Sequence, residues 1–241
     1  MVALVAAVVL APQGSPKGAE LISKMFAYYN DAKTFAGTIQ MTQAMMGQTT
    51  AYDTIVQFEL PSKLFIKQVQ KVTGRVYLVT SDGKQFSYDV PRALEESGIS
   101  KPRERLLENV VQGSLTHQVR DIYRVAVAGL PDRSMPLDVA IGQLGDLKFI
   151  RDQWATVKYD GTVDWNGEKA HSISGAWREY GEADVSSTYN LLLTSEGELL
   201  RYSIKDRLSA PGQGPQDVVT TWLVRFEKNA KVDPTLFKVV R

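Results

Sequence analysis

From Thr34 to Asp89 apolar and polar residues alternate with a period of two, broken only by short turn signals. The pattern returns from Ala155 to Phe226. A period of two puts successive side chains on opposite faces of an extended chain, so each stretch reads as a strand with one covered face. Phe35, Ile39, Met41 and Met45 share a face, with Thr38, Gln40 and Thr42 opposite. After a turn at Gly47, Tyr52, Thr54, Val56, Phe58 and Leu60 alternate with Asp53, Gln57 and Glu59. Strands over Lys63–Val72, Arg75–Thr80 and Gln85–Asp89 follow, separated by Thr73-Gly74 and by the hairpin signal Ser81-Asp82-Gly83-Lys84. Consecutive strands joined by tight turns form an antiparallel meander, and strands this long suit a curved sheet or partial barrel.

The second block repeats the device. Ala155–Asp164 and Lys169–Trp177 flank an Asn166-Gly167 turn, and Thr188–Thr194 and Leu199–Asp206 flank Ser195-Glu196-Gly197-Glu198. Ser209–Pro215 is a loop, and Val218, Thr220, Trp222, Val224 and Phe226 alternate in a last long strand. Helical spacing occurs in two places. Ser15-Pro16 offers an N-cap and a first-turn proline ahead of the stripe Leu21, Ile22, Met25, Phe26 and Tyr29. Between the strand blocks, Pro102–Gln112 and Ser114–Ala128 carry apolar residues at helical intervals, and Asp132–Leu144 adds a weaker helix. Strand blocks around a helical insertion describe an α+β fold with helices on one side.

Residues 1–11 are all apolar. The run is shorter than the about 20 residues that span a bilayer and matches the core of a signal peptide, with small or medium residues ahead of a cleavage point after Ala11. No basic residue precedes it. The reading is a leader over residues 1–11, export to the periplasm or beyond, and a single domain over residues 12–241, with no integral membrane span.

Composition removes several function classes. The 28 Lys and Arg balance 27 Asp and Glu, giving a net charge of +1, with no basic stripe to hold nucleic acid. The absence of cysteine excludes thiolate metal sites, disulfide frameworks and a lipid-anchor cysteine, and two histidines leave little for a metal centre. There is no dinucleotide fingerprint around Gly142-Gln143-Leu144-Gly145 and no nucleophile elbow. His117 and His171 read as packing or surface residues and Asp82 as a turn former. Neither a catalytic set nor a cofactor is expected.

Four segments carry a family likeness. Glu20–Met25 running into Tyr28-Tyr29-Asn30-Asp31-Ala32-Lys33-Thr34-Phe35, the proline-centred Leu60–Lys67, the hairpin Val79–Pro91 and the C-terminal Val232-Asp233-Pro234-Thr235-Leu236-Phe237 together resemble the LolA/LolB-like superfamily of periplasmic lipoprotein carriers. The likeness runs from Glu20 to Phe237. It implies an open half-barrel with a helical lid, an apolar cavity for acyl chains, and a carrier of lipid or acylated lipoprotein. A second possibility is an envelope sensor or scaffold that binds a protein partner with the same fold. Lipoprotein carriers typically place an arginine before the third-strand proline; here that position is Leu60, which separates this chain from a charged-latch mechanism.

On either reading the inner face must be apolar. Met41, Met45, Tyr52, Val56, Phe58, Leu64, Ile66 and Trp222 are the candidate cavity residues, methionine being suited to surfaces that adapt to variable partners. An arginine at Val56 would place a charge in such a cavity and abolish lipid binding.

Overall fold

The computed structural model describes residues 13–90, 104–110, 118–141, 154–177, 187–208 and 216–239. The leader read over residues 1–11, the loop 209–215 and His117 lie outside them.

The strands join into one twelve-stranded sheet. In chain order they are β1 (Gln13–Gly14), β2 (Thr34–Met45), β3 (Gln48–Glu59), β4 (Lys63–Gln70), β5 (Val76–Asp82), β6 (Gln85–Val90), β7 (Glu104–Asn109), β8 (Thr156–Trp165), β9 (Glu168–Trp177), β10 (Ser187–Leu193), β11 (Leu199–Leu208) and β12 (Gln216–Lys228). The spatial order is β1-β8-β9-β10-β11-β12-β2-β3-β4-β5-β6-β7. Only the two-residue β1 runs parallel to its neighbour β8. The two meanders are therefore halves of one sheet, sewn together where β12 pairs antiparallel with β2 from Val219↔Ala44 to Lys228↔Phe35. The terminal strands β1 and β7 do not pair with each other among the described residues, so the sheet is an open half-barrel and the fold is α+β.

The alternation read from the sequence is the burial pattern. Phe35, Ile39 and Met41 of β2, Tyr52, Val56 and Phe58 of β3, and Leu64 and Ile66 of β4 are buried on one face. Val218, Thr220, Trp222, Val224 and Phe226 of β12 are buried too, whereas Val219 and Leu223 between them are exposed. Phe35 stacks on Phe58 at 5.2 Å and meets Phe226 edge-on at 4.7 Å, which knits three adjacent strands through their rings.

Among the described residues, three α-helices cover the inner face. α1 (Pro16–Asn30) lays Leu21, Ile22, Met25, Phe26 and Tyr29 onto the sheet. The Tyr29 hydroxyl accepts a 2.9 Å hydrogen bond from the Leu199 amide. The β10–β11 turn approaches α1 so closely that a β-carbon on Gly197 would lie 2.6 Å from the Lys24 carbonyl carbon, and φ at Gly197 is +93°. Gly197→Ala is therefore expected to lose about 2 kcal/mol of stability through strain and a displaced helix; an unchanged melting temperature would show that this contact does not seat α1. α2 (Gln118–Ala126) buries Val119, Ile122, Tyr123 and Ala126 and is tied to the β3–β4 turn by the Val119 amide, which donates to the Pro61 carbonyl at 2.8 Å. α3 (Met135–Ile141) buries Leu137, Val139, Ala140 and Ile141.

The middle segment departs from the sequence reading. Helical spacing predicts a helix over Pro102–Gln112, but Glu104–Asn109 is strand β7, paired along β6 from Gln85↔Asn109 to Val90↔Glu104. Apolar residues at Leu106, Leu107 and Val110 fit either geometry, and what decides is non-local: β6 presents an unpaired backbone edge that a neighbouring strand satisfies. Leu106 and Leu107 are consequently exposed rather than packed.

The C-terminal signature segment covers the outer face. Asp233 Oδ1 accepts from the Thr235 amide at 2.9 Å and from its hydroxyl at 2.7 Å, capping a 3-10 turn over Pro234–Phe237 that buries Phe237. That turn lies over β4 and β5, where Phe65 and Thr80 are buried on the outer side. Asp82 does what its position in the hairpin predicts: its carboxylate accepts from the amides of Lys84 and Gln85 at 2.7 and 2.9 Å.

Candidate functional site

At the end of the sheet where β2 turns into β3, the concave face and the segment opening α3 enclose a cleft of about 680 Å³, within the range of ordinary ligand sites. The sheet contributes Met41 and Gln43 from β2, Thr50 and Tyr52 from β3, Thr220 and Trp222 from β12, Ile204 and Asp206 from β11, and Trp177 from β9. Pro131, Asp132, Arg133, Met135 and Asp138 close it from above.

The register explains why these side chains converge. Met41 lies opposite both Tyr52 and Trp222, and Trp222 lies opposite Tyr202; the last two rings stack at 5.4 Å. A row of large side chains thus crosses four strands at one level. Beyond it, toward the hairpin ends, the inner positions turn polar: Gln43 donates to the Thr220 hydroxyl at 3.1 Å.

A buried polar fork holds the roof in place. Gln68, fully buried on β4, donates to the Asp132 carbonyl at 2.7 Å and accepts from the Asp132 amide at 3.1 Å. Asp132 is only 3% exposed, and its Oδ1 accepts from the Trp222 indole at 3.1 Å. Burial pushes the Asp132 carboxyl up to about 6, helped by neighbouring Asp138 and opposed by the Trp222 hydrogen bond. Asp138 is raised to about 6 as well, chiefly by burial, with Arg133 and Tyr123 pulling the other way.

The structure separates the candidate cavity residues. Met41, Tyr52 and Trp222 line the cleft. Met45 follows Gln43 on the same face of β2 and stands 40% exposed at the hairpin end, next to exposed Met46. Val56, Phe58, Leu64 and Ile66 do not line the cleft; they are buried in the hydrophobic cluster that also holds the apolar residues of α1 and α2. The cleft is also less apolar than expected. Its carboxylates Asp132 and Asp138 come from the helical insertion, whose cavity-facing side sequence periodicity could not reveal, and Asp206 extends the inner face of β11. One signal was available: Gln68 shares the inner-facing register of Leu64 and Ile66, and a buried amide there demands a polar partner overhead.

Elsewhere, His171 accepts or donates a 3.0 Å hydrogen bond with the Tyr159 hydroxyl and has no role in the cleft. Among the described residues no group of three His, Cys, Asp or Glu side chains could hold a metal ion.

No protein-family model matches the sequence, and no curated protein does. Solved structures do resemble it. The chain is similar to the Mycobacterium tuberculosis lipoprotein LppX at 12% identity and a TM-score of 0.47, covering 91% of this chain and 98% of that one. It is similar to MucB at 14% identity and a TM-score of 0.44, covering 94% of this chain but spanning only 64% of the MucB chain. It is similar to the LolA superfamily protein NE2245 of Nitrosomonas europaea at 9% identity and a TM-score of 0.33, covering 92% and 97%.

Proposed function

We propose that this chain is an exported, non-enzymatic carrier or binding protein, one domain over residues 12–241, that holds the acyl chains of a lipid or lipoprotein. The observation that supports this reading is the cleft walled by Met41, Met135, Tyr52, Ile204, Trp177 and Trp222 at the open end of the half-barrel. Two methionines and three aromatic rings give an adaptable apolar wall, and exposed Met45 and Met46 extend it outward along the hairpin. Each methylene buried there contributes up to about 0.8 kcal/mol, so a modest length of chain suffices for useful affinity. No helix of the described residues is long and apolar enough to cross a membrane.

Purified protein is expected to carry lipid visible by native mass spectrometry. Gln43→Trp, at a partly exposed position on the cleft wall, should fill the cleft and cut binding of the neutral decanol at least tenfold with an unchanged melting temperature. A ligand-free protein whose tryptophan emission also stays unchanged when it is given the neutral decanol would refute the carrier reading.

A second reading, an envelope protein that binds a protein partner, rests on β7. Among the described residues it ends the sheet, with exposed Leu106 and Leu107, and an edge strand of that kind can accept an added strand. Leu106→Lys with Leu107→Lys would abolish capture of such a partner and leave lipid binding intact.

A further inference from the structure

The cleft holds more carboxylate than an acyl chain can use. Among the described residues, Asp132, Asp138 and Asp206 line it with a single guanidinium, Arg133, so that described lining carries a net charge of −2 when all are ionised (three carboxylates less one cation). Asp132 Oδ2 and Asp206 Oδ1 are buried and lack a hydrogen-bond donor, whereas Asp138 has Tyr123 and Arg133 beside it. For Asp132 the arrangement is most specific: the residue is 3% exposed, one oxygen is held by Trp222, and the other is left without a partner. Buried acceptors without donors are costly, and rare unless something else supplies the donor. Among the described lining residues the unpartnered donor is the Trp177 indole N–H, so there unmatched acceptors outnumber unmatched donors.

We propose that this cleft recognises a primary ammonium group at the head of an amphiphile, with Asp132 and Asp206 accepting its N–H bonds while the apolar tail lies along Met41, Met135 and Trp222. This rests on the carrier reading and adds the chemistry of the head. A primary ammonium brings three N–H donors and a positive charge, which answers both the missing donors and the excess of carboxylate. A quaternary ammonium brings the charge without donors, and a hydroxyl brings a donor without charge. Charge-assisted N–H···O bonds in a partly desolvated cleft are the stronger kind. The Trp177 indole is placed to donate to an ester or phosphate oxygen next to the ammonium. Burial raises the Asp132 carboxyl to about 6, and a cation beside it would favour its ionised form.

The test uses decylammonium, decyltrimethylammonium and decyl sulfate, all below their micelle concentrations, titrated calorimetrically at pH 7.5 and low salt. The native chain should bind decylammonium at least about tenfold more tightly than either other probe. Asp132→Asn should remove most of that preference while decyl sulfate binds as well or better. Asp206→Asn, at a half-buried position that tolerates the change, should weaken decylammonium several-fold on its own. Equal affinity for the three probes in the native chain, or an intact preference in both variants, overturns the ammonium site and leaves the carrier reading standing, because the tails still bind. Failure of all three probes to bind overturns the carrier reading, and the ammonium site with it.

Discussion

Val56→Arg is expected to abolish cooperative folding, whereas Ile55→Arg, one residue earlier, should change stability by no more than about 0.5 kcal/mol. Val56 is 0% exposed, opposite Gly37 on β2 and Ile66 on β4. The surrounding cluster is hydrophobic and offers a guanidinium no carboxylate. Burying an unpaired cation costs several kcal/mol even after relaxation, on top of overpacking a filled site, against a total stability of about 5–15 kcal/mol. Ile55 points to the outer face and is 40% exposed, so an arginine there keeps its charge in water. Soluble expression and thermal melts of the pair check this directly. A native-like melt for Val56→Arg alongside collapse of Ile55→Arg would mean that the register is shifted by one residue. The pair also changes what a loss of binding in Val56→Arg would mean. Because Val56 belongs to the core rather than to the cleft wall, such a loss would report an unfolded chain, and variants at Gln43 or Asp132 are the ones that probe ligand.

Acidification from pH 7.5 to 5 is expected to stabilise the protein by about 2 kcal/mol, which for a chain of this size raises the melting temperature by roughly 5 °C. The sign follows from proton binding. Asp132 and Asp138 are raised in the fold from 3.8 to about 6, so between those values the folded chain holds more protons than the unfolded one. Stability then falls as pH rises through about 6 and is recovered as pH drops. Each pKa unit corresponds to about 1.4 kcal/mol, and the pH window captures roughly one unit for each residue. His171 opposes the trend: burial and Lys17 hold it below its ordinary value, so its contribution weakens as it protonates and trims the gain from the two carboxyls. Asp217 and Asp233, lowered by hydrogen bonds to Lys205 and Thr235, begin to lose stability only at lower pH. Asp132→Asn should keep the hydrogen bond from Trp222, stabilise the protein at pH 7.5 and flatten the pH dependence by about half. A stability that rises steadily from pH 5 to 7.5 in the native chain would refute the assignment of these two carboxyls as buried and proton-binding.

Most of the strands were legible because each has one covered face. Thr34 opens β2 and Lys63 opens β4 where the alternation begins, and the Asp82-Gly83, Asn166-Gly167 and Glu196-Gly197 turns stand where the hairpin signals predict. Helix α1 was legible for the same reason, through the spacing of Leu21, Ile22, Met25, Phe26 and Tyr29. Leu106 and Leu107 misled because neighbouring apolar residues satisfy either a helix face or an edge strand, and only the open edge of β6 chooses between them.

The candidate site was half legible. Alternation placed Met41, Tyr52 and Trp222 on the inner face, yet it placed Val56, Phe58, Leu64 and Ile66 there equally well. Inner-face positions are identical to local sequence patterning whether a helix or a ligand covers them. What separates the two sets is which positions the packed cluster encloses, and the helices are set on the sheet by contacts far apart in the chain: Tyr29 with Leu199, Pro61 with Val119, Gln68 with Asp132. The carboxylates of the roof arrive by the same long-range route. The sequence alone therefore determined the strands, their covered faces and the turns, since these follow from neighbouring residues. The tertiary structure decided that the meanders form one open sheet, where its cover ends, and that the uncovered end carries acid as well as methionine and tryptophan.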